Sequence, residues 1–188
     1  MAGEDSSAIK DIDLKFRHSP ARVVMLADCP EIDLLGIKVG PFNKDEEITV
    51  DYWIANELVK YGLARFHDGS ELNMIVLNKI HWREMIQPGK KFSTLPENFY
   101  PSLRRCLSHL NSKALKDPSS VEEKSKALRI AQDIVNCRLN KVVRLASAPE
   151  QTGEILQMLS PEEKMLYDRL RAIISDWKLH ILNLEVDK

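Results

Sequence analysis

The chain has 188 residues, 44% hydrophobic and 29% charged, with a formal net charge of −1. That balance belongs to a folded chain with one sizeable core or two small ones, and it excludes a disordered polyelectrolyte. No apolar run nears the ~18 residues a membrane-spanning helix needs. The acidic start MAGEDSSAIKD also lacks the basic-then-apolar order of a secretion signal, so a cytosolic or nuclear protein is expected. Cys29, Cys106 and Cys137 are odd in number and widely spaced, which argues against a disulfide framework.

In chain order, residues 1–10 read as a flexible tail, and residues 1–19 as an N-terminal extension. Ile12, Leu14 and Phe16 alternate with charged neighbours, as a strand would, and His18-Ser19-Pro20 stops them. Val23-Val24-Met25-Leu26-Ala27 predicts a central strand, Asp28-Cys29-Pro30-Glu31 a turn, and Leu34 to Val39 a second strand. After Gly40-Pro41, Ile48 and Val50 mark a short strand. Asp51 is placed to cap a helix whose stripe is Trp53, Ile54, Leu58 and Tyr61, ended by Gly62. Leu63, Arg65 and Phe66 begin a further extended segment.

Near residue 70 the period changes from two to 3.6. A helix is predicted through about Gln87, capped by Ser70 or Asp68, with Leu72, Ile75, Val76, Lys79, Ile80, Arg83 and Ile86 near one face. A basic connector spans 88–94. Pro96 is suited to the first position of the next helix, whose stripe continues through Leu103, Leu107 and Leu110. Asn111 to Ser120 reads as a loop. A long helix follows from Val121 to Ser147, with Leu128, Ala131, Val135, Leu139, Val142 and Leu145 at helical spacing and Ile130, Ile134 and Cys137 widening the apolar face. Ser160-Pro161-Glu162-Glu163 is a capping-box start for a last helix striped by Leu166, Leu170, Ile173, Trp177, Ile181 and Leu184. The fold class is α+β: a small N-terminal mixed β domain over 20–70, then a mainly α-helical bundle domain over 71–188.

Catalytic signals are poor. Five scattered histidines show no metal-ligand spacing, and His67-Asp68 has no nucleophile beside it, so no catalytic residue, metal or cofactor is expected. The charge is uneven: residues 1–75 carry 8 Lys/Arg against 14 Asp/Glu, residues 76–149 carry 14 against 6, and residues 150–188 carry 5 against 8. A basic middle between acidic ends fits an anionic partner or attraction among the chain's own segments. Arg138, Lys141 and Arg144 would form a short slanted row on the long helix. Ile48 to Phe66, a capped helix followed by Gly-Leu-Ala-Arg-Phe, imitates part of a winged-helix DNA-binding unit, the alternative reading, but the exposed residues Asn56, Glu57 and Lys60 with Asp51 would repel phosphate.

Three stretches, in order, carry a family resemblance. Gly40-Pro41-Phe42 followed by Trp53, Ala55 and Leu58 resembles the small-domain signature of GINS subunits. Leu95-Pro96-Glu97-Asn98-Phe99-Tyr100 is similar to that family's entry into its helical domain. Asp133-Ile134 with Arg138 and Lys141 resembles its long helix. The β domain comes first, as in the Psf-two and Psf-three class and its archaeal counterpart. The first 20 residues extend beyond the usual start, and Tyr52 stands where the family often has proline or leucine. The resemblance implies a non-catalytic scaffold in a hetero-tetramer with a helix-domain-first GINS paralogue. It further implies a bridge between the MCM helicase and a RecJ-like (Cdc-forty-five-like) protein, with polymerase or primase as further contacts and only indirect or weak contact with DNA. Leu128, Ile134, Val135, Arg138, Leu139, Lys141 and Val142 are the candidate partner interface, since the long helix is apolar over a wider arc than one neighbour covers. The other reading of the same residues is that they fill the chain's own four-helix core.

Overall fold

The structure, a computed structural model, describes residues 2–34, 36–67, 72–86, 92–148 and 153–182. It divides into two units, Met1–Leu72 and Asn73–Lys188.

The first unit is built on an antiparallel sheet of order β4-β1-β5, with β1 Pro20–Met25 between β4 Glu47–Asp51 and β5 Ala64–Phe66. Helix α2, Tyr52–Lys60, lays Ile54, Ala55 and Leu58 against it, and these join Val23, Met25, Ile48 and Ala64 in one core. This face differs from the predicted stripe: Trp53 is half-buried and Tyr61 lies exposed beyond the helix end. Asp51 does sit at the N-cap, yet its carboxylate leaves the helix amides alone. It accepts from the Trp53 indole at 3.2 Å, with His18 Nδ1 also 3.2 Å away. The competing donors are side chains that lie beside it, one on α2 itself and one between α1 and β1.

Two further expectations are corrected in this unit. Residues 2–17 form helix α1, in place of a tail and a strand. Ile9, Ile12 and Phe16 are spaced three and four apart, so the same residues that alternate as a strand also make a helical face. Phe16 is buried and its ring lies 4.7 Å from that of Tyr52, which stacks in turn on Phe66 at 5.4 Å. The N-terminal segment is thus part of the first unit's packing. The strand expected over Leu34 to Val39 is instead a hairpin, β2 Ile32–Leu34 and β3 Ile37–Val39. Gly36, at φ +90°, turns it, with its amide donating to Asp33 Oδ1 at 2.7 Å.

The second unit contains α3 Met74–Ile86, α4 Phe99–Lys116, α5 Val121–Ser147, the single turn α6 Gly153–Leu156, and α7 Pro161–Leu182. Asn73 starts α3, accepting from the amides of Ile75 and Val76 at 3.0 Å; the predicted caps Asp68 and Ser70 lie outside the described residues. The buried positions of α3 are Leu77, Ile80 and Glu84, whereas Ile75 and Ile86 of the predicted stripe are exposed. Helix α4 begins at Phe99 after a left-handed Asn98, so Pro96 precedes the helix. It then runs on through Lys116, because Leu110 is buried and nothing in Asn111–Lys116 breaks a helix. The predicted loop shrinks to Asp117 and a 3-10 turn, Pro118–Ser120. Asp117 accepts from Ser119 N and from both serine hydroxyls, bonds that hold its carboxyl below the usual range.

Gly40 shows why one signature position needs glycine. Its φ is +99°, and a Cβ there would meet the Pro30 carbonyl oxygen at 3.1 Å. Gly62 also has positive φ, +73°, but open space around it. Gly40→Ala is therefore expected to cost about 1–3 kcal/mol and Gly62→Ala about 1 kcal/mol. Urea denaturation followed by the sheet's circular dichroism orders the two; equal losses would show that the Pro30 contact is irrelevant.

A buried charge network and a candidate interaction face

The guanidinium of Arg138 is buried at the centre of the helical unit. Its Nε donates to Glu163 Oε1 at 2.7 Å and its Nη2 to Glu163 Oε2 at 2.6 Å, a bidentate fork. Nη1 donates to the Ser93 carbonyl at 2.8 Å and to Glu84 Oε1 at 3.2 Å. One turn on, Lys141 Nζ donates to Glu84 Oε2 at 2.6 Å. The Tyr100 hydroxyl donates to Glu163 Oε1 at 2.7 Å, and the Ser93 hydroxyl donates to Glu84. Phe92 covers the guanidinium, its ring centroid 4.7 Å from Cζ. Two cations thus meet two carboxylates, gathered from α3, α5, α7 and the segment before α4, with the α4 phenol hydrogen-bonded to one of them.

Geometry sets the protonation of each group. Burial alone would raise the Glu84 carboxyl, but hydrogen bonds from Lys141 and Ser93 and the charge of Arg138 outweigh it and hold it below its ordinary value. Burial likewise opposes the Arg138 charge, and Glu163 and then Glu84 raise it above the normal value. Burial and the adjacent Glu163 carboxylate push the Tyr100 phenol up. The surroundings thus favour the charged forms of Glu84 and Arg138 and the neutral form of Tyr100.

This placement divides the seven sequence-predicted interface residues. Ile134, Arg138, Lys141 and Val142 are buried inside the unit. They offer nothing to a partner, and the expected basic row Arg138-Lys141-Arg144 does not exist on the surface. Their burial follows from Glu84 and Glu163, which the sequence presents as ordinary charged helix residues. Leu128, Val135 and Leu139 are outside, 38–42% exposed. With Val121 and Val143, which the sequence reading missed, they form a second stripe: at 100° per residue all five fall within about 80° of one another. The wide apolar face is thus divided: one part fills the unit's own core, and the other lies exposed.

A notch of about 190 Å³ opens beside this stripe, lined by Tyr100, Val135, Leu139, Val142, Glu162, Glu163 and Leu166. On α7, Leu166 and Leu170 are half-buried, but Ile173, Trp177 and Ile181, expected in the core, are exposed. Leu184 lies outside the described residues.

The remaining signature residues are structural. Cys29 and Phe42 exchange backbone hydrogen bonds at 2.8 Å; Ala55 and Leu58 are buried; Leu95 is half-buried and Pro96 exposed. On α2, Lys60 Nζ lies 3.1 Å from Glu57, so its outer face carries no unbalanced cation for phosphate. His67 Nε2 is 3.6 Å from Glu47, and Asp68 lies outside the described residues. Among the described residues, no three His, Cys, Asp or Glu side chains gather as a metal site, and no helix is long and apolar enough to cross a membrane.

Glu84→Gln leaves Lys141 buried beside a weaker acceptor, and a loss of about 3–5 kcal/mol is expected. A carboxyl depressed in the folded state stabilises the fold fully above its unfolded value, about 4.3, and progressively less as pH falls through the folded value. Denaturation midpoints from pH 7 to pH 3 should therefore fall less steeply in the variant than in the parent chain. Parallel pH profiles would contradict the assigned role of Glu84.

Residues 71–182, more than half of the chain and nearly the whole second unit, match the family described as the GINS complex protein helical bundle domain. No curated protein matches the chain significantly. The matched span contains Tyr100, Arg138 and Lys141, which the fold brings together at its centre. The chain belongs to the GINS family, as a subunit of the hetero-oligomeric complex that takes part in DNA replication.

Proposed function

We propose that this chain is a non-catalytic scaffold subunit of the β-domain-first class, similar to Psf-two and Psf-three. It joins a helix-domain-first paralogue in a hetero-tetramer and helps to bridge the MCM helicase and a RecJ-like (Cdc-forty-five-like) protein, with polymerase or primase as further contacts. It works in the nucleus, or in the cytoplasm of a cell without one.

The observation that carries this reading is the exposed stripe Val121, Leu128, Val135, Leu139 and Val143. It runs about 33 Å along α5 at 1.5 Å per residue. The network pins the opposite face inward, so the stripe has no route into the chain's own core. An exposed apolar row of that length, interrupted only by the small or uncharged Ser125 and Gln132, supports a protein partner. Family membership supports another GINS subunit as that partner.

Leu128 lies on the stripe away from the notch, which makes it a clean probe. Leu128→Asp should leave the thermal melt of the isolated chain unchanged within about 0.5 kcal/mol. It should weaken the complex with a co-expressed helix-first paralogue by roughly thirtyfold or more, as loss of an interface anchor does. A thermal melt reads the first, and size exclusion with mass detection over a range of concentrations reads the second. A parent chain that ignores the paralogue would overturn the scaffold reading.

A further inference from the structure

Along α5, Val121, Ser125, Leu128, Gln132, Val135 and Leu139 follow one another at alternating steps of four and three, and all six are exposed. That is the 3.5-residue period of a seam along which two helices pack. The next two steps, three and four residues on, reach Val142 and Ala146, which are buried in a cluster with Tyr167 of α7. Helix α7 meets α5 at the level of Arg138, through Glu163, and runs on until Lys178 Nζ lies 3.5 Å from the Ser147 carbonyl. It therefore runs parallel to α5 and starts too far along to cover the six earlier members. The covered end of the seam sets the kind of element that fits the open end: another helix. At 1.5 Å per residue the open part is about 27 Å long, roughly five turns of an incoming helix.

Two of the six members are polar, and they differ. Ser125 donates its hydroxyl to the Val121 carbonyl at 2.9 Å, so it meets a neighbour as a small, already satisfied group. The Gln132 amide makes no hydrogen bond to any described residue and stands between Leu128 and Val135, near the middle of the open seam. Its two donors and its carbonyl are satisfied by water only while the seam is uncovered. An apolar side chain laid over it would strip that water and return nothing, whereas a second amide would exchange hydrogen bonds with it. Asn136 and Asn140 are exposed too, but they lie about 40° and 80° farther round the helix, outside the seam.

We propose that Gln132 selects the partner helix and fixes its register: a helix of the paralogue lies along the open seam and sets one asparagine or glutamine against the Gln132 amide. A single polar pair inside an apolar seam has this effect, because a slip of one heptad, about 10.5 Å, sets each amide against an apolar side chain. It discriminates by penalty as much as by attraction, since a helix that is apolar at that position leaves Gln132 buried and unbonded. The inference rests on the paralogue reading above and adds to it the element that binds and the residue that selects it.

Titration calorimetry between the full chain and a full-length helix-first paralogue tests this. Gln132→Leu should keep the parent's thermal melt, because the side chain is exposed, and should weaken the complex about tenfold or more by leaving the paralogue's amide without a partner. Asn140→Leu makes a similar change off the seam and should bind as the parent does. Among paralogue variants in which a single asparagine or glutamine becomes leucine, one should weaken the parent complex to a similar degree and lose no further affinity against Gln132→Leu. A Gln132→Leu chain that binds as tightly as the parent, an Asn140→Leu chain weakened as much, or paralogue variants whose losses all add to that of Gln132→Leu would each overturn the proposal and leave the scaffold reading standing. A parent chain that ignores the paralogue removes both.

Discussion

The helical unit depends on satisfying one buried guanidinium. Arg138 brings a full charge and five N–H donors into a region closed to bulk solvent, and a charge left there without partners would cost several kcal/mol. Five bonds meet that demand, to Glu163 twice, to Glu84 once, and to the Ser93 and Met158 carbonyls. The partners are spread over α3, α7 and the segments preceding α4 and α7. A slip of any of them by one residue would break bonds that nothing nearby could replace. A hydrophobic core tolerates such slips far better. The network fixes one packing of the helices more than it adds net stability, since its Coulomb gain is largely offset by desolvation.

That constraint also decides which side of α5 is available to other molecules. Turning the helix to bury Leu128, Val135 and Leu139 would carry Arg138 and Lys141 out of reach of Glu84 and Glu163. The apolar stripe therefore stays outside for an electrostatic reason, even though burying it would be favourable taken alone. The exposure of that face is in this sense fixed by the chain's own interior.

Much of this was legible in the sequence, and the failures share a cause. The long helix Val121–Ser147 and the capping box at Ser160 were read correctly, because a long 3.6-residue period and a reciprocal cap are local signals. The early segment was misread where two local patterns coincide: Ile12, Leu14 and Phe16 alternate, while Ile9, Ile12 and Phe16 also make a helical face. The phase of α3 was misread because one of its three buried residues is a glutamate. Apolar periodicity assigns Glu84 to solvent, and only the distant Arg138 and Lys141 bring it inside. The same omission placed Arg138 and Lys141 on a partner surface. The family resemblance marked those two residues and Tyr100 as notable, without indicating that they serve the interior. Charge pairing between helices 54 residues apart in the chain, as for Glu84 and Arg138, leaves no trace in local pattern.

Two adjacent carboxylates show how finely the N-terminus of α7 divides inside from outside. Ser160 holds both: its amide donates to Glu163 Oε2 at 3.0 Å, and its hydroxyl donates to Glu162 Oε2 at 3.0 Å. Glu163 turns inward and is saturated by Arg138, Tyr100 and that amide. Glu162 lines the notch; its Oε2 takes the Ser160 hydroxyl, while its buried Oε1 receives no hydrogen bond. Neither carboxylate can take the other's place, because consecutive helix positions point about 100° apart. The residue that caps α7 therefore also helps to complete the buried network, so the start of the helix and the packing of its unit are fixed by the same turn.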